Sequence, residues 1–472
     1  MKIAVVGSGP NGLAAAITLA EAGLDVDVLE QAATAGGGCR SDRPIFDGCL
    51  HDHCATVLPL AIASPFFQHL NLDVEWLEGP AALAHPLDDA LAVLLHHSLD
   101  LMEDELGDDG NTYRTLFAPL VEHQAEIFAA ILQPIRVPAL SPRFARFAVP
   151  ALLPLERLNR AMFRDQRAPA LLAGIAAHST LPFSAVASSA PALVLGMLGH
   201  STGWPIVAGG AQTLSDRLCE RLRVFGGRVE LEHRVRSLDE LRDYDRVVFD
   251  TSVESMVAIA SDALPDRFKR RLRHFRSGPG VFKLDWVLDG PIPWSDPRCG
   301  EAVTVHLGGN FAEIARAERE IWQGRVSDRP FVILTQPSIV DASRAPAGRQ
   351  VVWAYCHVPS GSELDMTSAI EGQIERFAPG FRDRILGKHA TTPAMFEAQN
   401  PNLIGGDISG GMQSIGQILA RPYLARDPYR TPNSRLFLAS SSTPPGGGVH
   451  GMCGYNAAKS LLRDLGSESA IG

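Results

Sequence analysis

Lys2-Ile3-Ala4-Val5-Val6-Gly7-Ser8-Gly9-Pro10-Asn11-Gly12 is the stretch that decides the fold. After the lysine, small and β-branched apolar residues have the composition of a buried parallel strand. G-x-G-x-x-G follows directly, and residues 13–22 carry Ala and Leu at helix-forming density until Gly23 stops the helix. A second apolar strand over 26–29 finishes in Glu30. Gly7 permits the tight turn, Gly9 lets a pyrophosphate approach the backbone, and Gly12 lets helix and strand pack closely. Unpaired N–H groups at the helix N-terminus favour that anion. Glu30 is placed to accept hydrogen bonds from an adenosine ribose. A lone glycine pattern would be weak evidence. Strand, glycines, helix, strand and acid in this order specify a Rossmann-like dinucleotide-binding unit.

Outward from that unit, composition sets bounds. The chain has 472 residues, of which 46% are hydrophobic, enough for a large globular core. A length of this size allows about three domains, or one discontinuous pair. The net charge of −10 argues against general nucleic-acid binding. The seven cysteines form no C-x-x-C, so neither a zinc knuckle nor a dithiol redox centre is signalled. Reduced cysteines in a cytoplasmic protein are the expectation. With the nucleotide strand starting at Lys2, no leader is expected, and no run of about twenty apolar residues offers a membrane span.

Past Glu30, the glycines Gly36, Gly37 and Gly38 read as a loop passing close under a bound cofactor. Cys49-Leu50-His51-Asp52-His53-Cys54 looks like a metal cluster at first sight. Two histidines at i and i+2 share a face only on a strand, and no second ligand pair follows at zinc-finger spacing. Packing or pocket lining is the expected role, and no metal is expected.

Residues 71–204 read as a helical insertion in two parts. The first is acidic, with Asp100, Glu103, Asp104, Glu105, Asp108 and Asp109. Over 127–167 the balance inverts, and Arg136, Arg143, Arg146, Arg157, Arg160, Arg164 and Arg167 face only Glu156 and Asp165. Phe144, Phe147, Leu152, Leu153 and Phe163 lie among them, and Pro134, Pro138, Pro142, Pro150 and Pro154 break the segment into pieces. A cationic, apolar, interrupted segment on an acidic protein has the make-up of a peripheral membrane contact. The competing reading is a helical lid whose arginines pair with the acidic half.

Regular structure resumes at Trp204. A helix from about Thr213 carries Leu214, Leu218 and Leu222 on one face and stops at Gly226 and Gly227, and strands follow over 228–231 and 246–250. Phe282, Leu284, Trp286 and Leu288 alternate with Lys283, Asp285 and Val287, the pattern of a half-buried antiparallel strand. Further strand-like runs cover 302–307, 331–335 and 350–358, and a helix is expected near 369–377. These runs predict an antiparallel sheet in a second domain. Near the C-terminus a strand over 435–440 leads into Gly446-Gly447-Gly448-Val449-His450-Gly451-Met452, a glycine loop opening a helix. Its backbone N–H groups suit the partial negative charge at the N1/C2 edge of a reduced isoalloxazine.

With those motifs in hand, the chain resembles the phytoene dehydrogenase or carotenoid-desaturase-like branch of the flavin amine oxidase superfamily. The resemblance rests on Gly7 to Gly12 with Glu30, residues 36–41, 204–212 with the strand through Val235, 282–286 and 440–458. It implies an α/β fold in which a discontinuous, glutathione-reductase-like FAD-binding domain (1–70, 205–280 and 405–472) carries an α+β substrate domain (71–204 and 281–404). It implies non-covalent FAD, with Gly7, Gly9 and Gly12 at the pyrophosphate, Glu30 at the ribose and Gly37 and Gly38 beside the cofactor. Val235 would meet adenine through its backbone, and Gly448, Val449, His450, Gly451 and Met452 would face the flavin. Many relatives carry Arg where Gly38 stands here, so Arg40 is the expected substitute. Many also carry an acid where Ser440 and Ser441 stand. The lysine that the amine-oxidase branch often holds near its flavin has no match by sequence alone, which favours carbon–carbon desaturation.

The expected activity is therefore FAD-dependent dehydrogenation of an apolar small molecule, with oxygen or a quinone as electron acceptor because no second dinucleotide unit is evident. His51, His53 and His450 are the candidates for a catalytic base. Amine oxidation, redox-neutral isomerisation and a non-catalytic flavin-bearing interaction protein are the alternatives.

Overall fold

A computed structural model describes residues 1–134 and 141–469, so Arg136 and Pro138 of the cationic segment lie outside the described residues. The opening unit forms as its sequence dictates. Strand β1 (Lys2–Val6) leads into helix α1 (Pro10–Glu21), with Pro10 in the first turn where its missing N–H costs nothing, and then into β2 (Asp25–Leu29). Gly23, in the left-handed region, ends the helix. The parallel sheet has the order 436–438, 246–249, β1, β2, 228–230. Three separate stretches of chain thus build one sheet. Ile3, Val5, Val26 and Val28 join the core on its α1 side, and Ala4, Val6, Val247 and Phe249 join the core on the other.

The second sheet has seven strands in the order 385–391, 280–288, 350–358, 332–335, 302–307, 81–85, 93–95. It is antiparallel except where 302–307 runs parallel to 81–85. Strands therefore occur inside the stretch expected to be helical, and 81–85 and 93–95 complete one edge of this sheet. Both are short and wholly buried, so they lack the period-two contrast that marks a half-exposed strand.

The strand Gly280–Leu288 departs from expectation more sharply, because all nine of its residues are buried. Phe282, Leu284, Trp286 and Leu288 do share one apolar core. The opposite face, expected to meet solvent, is covered by residues 51–56: Lys283 Nζ donates to Asp52 O at 3.0 Å, His51 Nδ1 meets Asp285 at 3.1 Å, and Trp353 Nε1 of the neighbouring strand donates to Thr56 Oγ1 at 2.9 Å.

Helices Pro142–Ala151 and Leu155–Met162 occupy the cationic segment, each begun near a proline. Phe147, Leu155, Leu158 and Phe163 point into the core. Val149, Leu152 and Leu153 face outward, joined by exposed Val186 on the adjoining loop. The aromatic part of the expected apolar entrance is thus core, and the aliphatic part is surface. No helix among the described residues is long and apolar enough to cross a membrane.

Candidate dinucleotide and active site

The glycine turn is built against Asp250, the first residue after strand Arg246–Phe249. A Cβ on Gly12 would lie 2.2 Å from Gly7 O, so helix and strand can pack this closely only without a side chain there. Asp250 Oδ2 accepts the Gly12 N–H at 2.8 Å, capping the start of α1 with a carboxylate. Asp250 is buried, and burial together with the charge of Glu30 pushes its carboxyl up to about 7. Glu30 directly follows β2 and accepts from Ser8 N at 2.9 Å, Ser8 Oγ at 2.6 Å and Ala32 N at 2.8 Å. Sequence reasoning found Glu30 but not Asp250, whose only signal was an acid closing a predicted apolar strand.

From this turn a groove of about 480 Å³ runs in both directions. One end is lined by Glu30, His233 and Val235, held together where His233 N donates to Glu30 O at 2.8 Å. In the middle stand Gly37, Gly38 and Arg40. A Cβ on Gly37 would come within 3.0 Å of Gly9 Cα, and Arg40 Nε donates to Gly37 O at 2.8 Å. The far end is lined by Ser440, Ser441, Gly448 and Val449. Asn11 lines the same wall, and its Oδ1 is buried without a hydrogen-bond partner among the described residues. A groove that links both glycine-rich turns and holds an acid at one end fits an extended dinucleotide.

Other predicted residues stand behind this wall. Gly451 packs against Phe66, and Met452 is buried at the start of helix Met452–Ser469. His450 is buried; its Nδ1 accepts the Met452 N–H at 3.0 Å and its Nε2 faces Gly446 O at 3.2 Å. Burial pushes its imidazole down to about 4. Both nitrogens are engaged in holding the glycine loop to the helix. His53 Nε2 pairs with Asp42 at 2.8 Å near the surface. His51 differs from both: it is buried, Nδ1 lies on Asp285, and Nε2 has no partner among the described residues.

Around His51 lies a charged cluster that the sequence pattern did not show. The Lys283 ammonium donates to both oxygens of Asp285, at 2.5 and 2.6 Å, and to Asp52 O. Arg344, fully buried, bridges Asp52 and Asp341 at 2.9 Å each. Lys283 is a buried lysine of the kind sequence reasoning did not find, but its three donors are spent inside the protein, as those of a structural ion pair are. A charged pair on an otherwise apolar strand was the available signal. Among the described residues no group of three or more His, Cys, Asp or Glu is arranged to hold a metal.

Comparison with known proteins agrees with this geometry. Residues 5–70 match the NAD(P)-binding Rossmann-like domain. The chain is 29% identical over 313 residues to pyridine nucleotide-disulfide oxidoreductase domain-containing protein 2 of Rattus norvegicus, covering 58% of this chain and 53% of that one. It thus spans about half the length of the first curated relatives it matches. A 4,4'-diapophytoene desaturase (4,4'-diaponeurosporene-forming) of Staphylococcus aureus is 23% identical over 95% of this chain and 96% of its own. Among solved structures, an oxidoreductase from Methanosarcina mazei superposes with a TM-score of 0.67 at 15% identity, covering 98% of this chain and 100% of that one. Putrescine oxidase bound to putrescine gives 0.61 at 17%, covering 99% of each chain. The structural likenesses carry the α/β fold, a Rossmann-like domain joined to an α+β domain. An oxidoreductase class and FAD as cofactor are in keeping with these relatives.

Proposed function

We propose that this chain, whose fold and relatives are those of the FAD-dependent desaturases and amine oxidases, is an FAD-dependent oxidoreductase that dehydrogenates an apolar small molecule. The observation that supports it is the single groove joining the Glu30 and Val235 end to the Gly448 and Val449 end. Bound there, FAD supplies a hydride acceptor at N5. The start of α1, with Gly7 and Gly9, holds the pyrophosphate; Glu30 holds the ribose and the Val235 backbone the adenine. Gly37, Gly38 and Arg40 form the floor between, and the Gly448 and Val449 backbone meets the flavin edge.

His51 is the residue we assign to the accompanying proton. Although burial opposes it, the Lys283 charge and the His51 hydrogen bond hold the Asp285 carboxyl below its usual range. An ionised Asp285 takes the Nδ1–H and leaves the Nε2 lone pair free to accept a proton. The tied-down Lys283 ammonium supports desaturation over amine oxidation. Oxygen or a quinone is the proposed acceptor, and the proposed reservoir for the substrate is a membrane reached through residues 127–167.

Anaerobic mixing of the purified flavoprotein with apolar polyenes tests this reading. Flavin bleaching, followed by return of colour with oxygen or a quinone, is expected. Product formation without net bleaching would point to isomerisation, and no bleaching with any polyene would leave a flavin-bearing interaction protein. His51→Asn should slow bleaching without changing the FAD dissociation constant.

A further inference from the structure

A second groove lies on the dinucleotide domain, lined by none of the residues that line the first. Its wall begins with helix Asp266–Leu272, in the run Asp266-Arg267-Phe268-Lys269-Arg270-Arg271-Leu272-Arg273-His274-Phe275-Arg276. Phe268, Leu272 and Phe275 anchor the run in the core. Arg267, Arg270, Arg271, Arg273 and Arg276 are exposed. None of these five guanidinium groups has an ion-pair partner among the described residues; the one acid inside the run, Asp266, is taken by Lys269 at 3.0 Å. On a chain of net charge −10, so many unneutralised cations on one short run are anomalous.

The groove has a volume of about 600 Å³ and is lined by Arg271, His274 and Arg276 of this run and by Met412, Tyr423 and Leu424. Leu424 is 79% exposed, the largest exposure among the big apolar side chains of the described residues. The walls are fixed in place. Gln417 Nε2 donates to Arg276 O at 2.8 Å and to Met412 O at 3.0 Å, clamping the two stretches together. Buried Arg421 donates to Gly410 O at 2.7 Å and Ser441 O at 2.8 Å, and its guanidinium lies over the Phe275 ring. A preformed site loses little entropy on binding, and ligand pockets commonly enclose about 300–1,000 Å³. Cations and apolar side chains in one groove match a ligand with an anionic head and an apolar body.

We propose that this groove binds an amphipathic anion, a carboxylate or phosphate joined to a hydrocarbon or aromatic body, at a site separate from the dinucleotide groove. Arg271 and Arg276 hold the head, and Tyr423 and Leu424 cover the body. A bounded groove of this volume, rather than a flat face, favours a free small molecule over a membrane surface.

Calorimetric titration of the full-length flavoprotein with decanoate, kept below its micellar concentration, tests the proposal. Decanol supplies the body without the charge, and acetate the charge without the body. Saturable decanoate binding is expected, with decanol and acetate both weaker. Arg271→Glu should weaken it by about tenfold or more, since a hydrogen bond to a charged group is at stake. Leu424→Ser, at an exposed position, should also weaken binding while leaving the melting temperature unchanged. Equal binding of decanol, or decanoate binding indifferent to both substitutions, would overturn the site. Binding only to phosphatidylglycerol vesicles, lost in Arg271→Glu, would overturn it in favour of a membrane surface.

Discussion

Asp250 Oδ2 takes the Gly12 N–H at 2.8 Å, the same helix start at which the dinucleotide pyrophosphate is proposed to sit. A buried carboxylate and a pyrophosphate beside one another repel unless the carboxylate is protonated. Among the described residues the groups facing Asp250 offer no cation: Glu30 follows β2, which lies one strand beyond β1, and Cys453 lies on the C-terminal helix.

The first prediction follows from that geometry. With its carboxyl pushed up to about 7, Asp250 is neutral below that value and gains its charge above it. FAD affinity should therefore fall as pH rises through about 7, by up to about tenfold per pH unit once ionisation dominates. Asp250→Asn keeps an acceptor for Gly12 N–H and removes the titration, so its affinity should stay flat. Fluorescence titration of FAD from pH 6 to 8.5 reads this directly, and parallel slopes for both proteins would refute it.

Glu30 and Gly9 carry the second prediction. Glu30→Ala removes the proposed ribose contact and should weaken FAD by about tenfold to a hundredfold, the worth of a hydrogen bond to a charged group. It also frees Ser8 N and Oγ, so loosening of the turn adds to the effect. A Cβ on Gly9 would lie 2.6 Å from Asp250 Oδ2, so Gly9→Val should yield colourless protein. An unchanged dissociation constant in Glu30→Ala would remove its role.

These positions also show what the sequence could disclose. Gly7, Gly9, Gly37, Glu30 and Val235 are positioned by backbone and local geometry, which spacing encodes, and they line the groove together. The Lys283, Asp285 and His51 cluster was opaque because it joins residues 234 apart in the chain. Period-two alternation indicates two faces of a strand but not whether a distant loop covers the second. His450 stood in the right loop, yet only its two hydrogen bonds reveal that its nitrogens are occupied. The strand at 81–85 was missed because complete burial erases the polar contrast that marks a strand.

Buried histidines give the third prediction. Burial pushes His85 down to about 4, His178 to about 3 and His450 to about 4, and holds His306 well below its ordinary range. His178 and His306 share one hydrogen bond at 3.0 Å, which requires an unprotonated nitrogen on one of them. The unfolded chain takes these protons first, with an ordinary imidazole value of about 6.5. Stability from these groups is complete above that value and is lost as pH falls from about 6.5 toward 4. Urea midpoints should drop over this window, and a flat profile would contradict neutral burial.

The fourth prediction separates structure from chemistry at Lys283. Removing one partner of a buried ion pair leaves the other charge uncompensated, at a cost of roughly 3–5 kcal/mol. Lys283→Met should therefore melt well below the parent. Lys283→Met with Asp285→Leu should recover much of the loss, because no lone charge remains. FAD should still bind in both, since neither side chain lines the groove. Full stability in Lys283→Met would mean the pair is not load-sharing.

The last prediction concerns the surface at helices Pro142–Ala151 and Leu155–Met162. Exposed Val149, Leu152, Leu153 and Val186 sit beside Arg146, Arg157 and Arg160, which have no ion-pair partner among the described residues. The lid reading required these arginines to pair with the acidic stretch. Arg143 does reach Glu126, at 4.0 Å, and Arg164 N and Arg167 bind Asp109 and the carbonyls at 105 and 106. The segment therefore divides: Arg143 and Arg167 reach the acidic stretch with their side chains and Arg164 through its backbone, while Arg146, Arg157 and Arg160 have no ion-pair partner among the described residues. Each free arginine near an anionic bilayer contributes about 1 kcal/mol, and the aliphatic side chains add burial. Flotation with phosphatidylglycerol vesicles at low salt should carry the protein upward, and high salt should release it. Leu152→Glu should abolish flotation without lowering the melting temperature, because Leu152 is half-exposed. Protein remaining at the bottom of the gradient at low salt would leave a lid alone, and the apolar substrate would then have to arrive from solution or from a carrier.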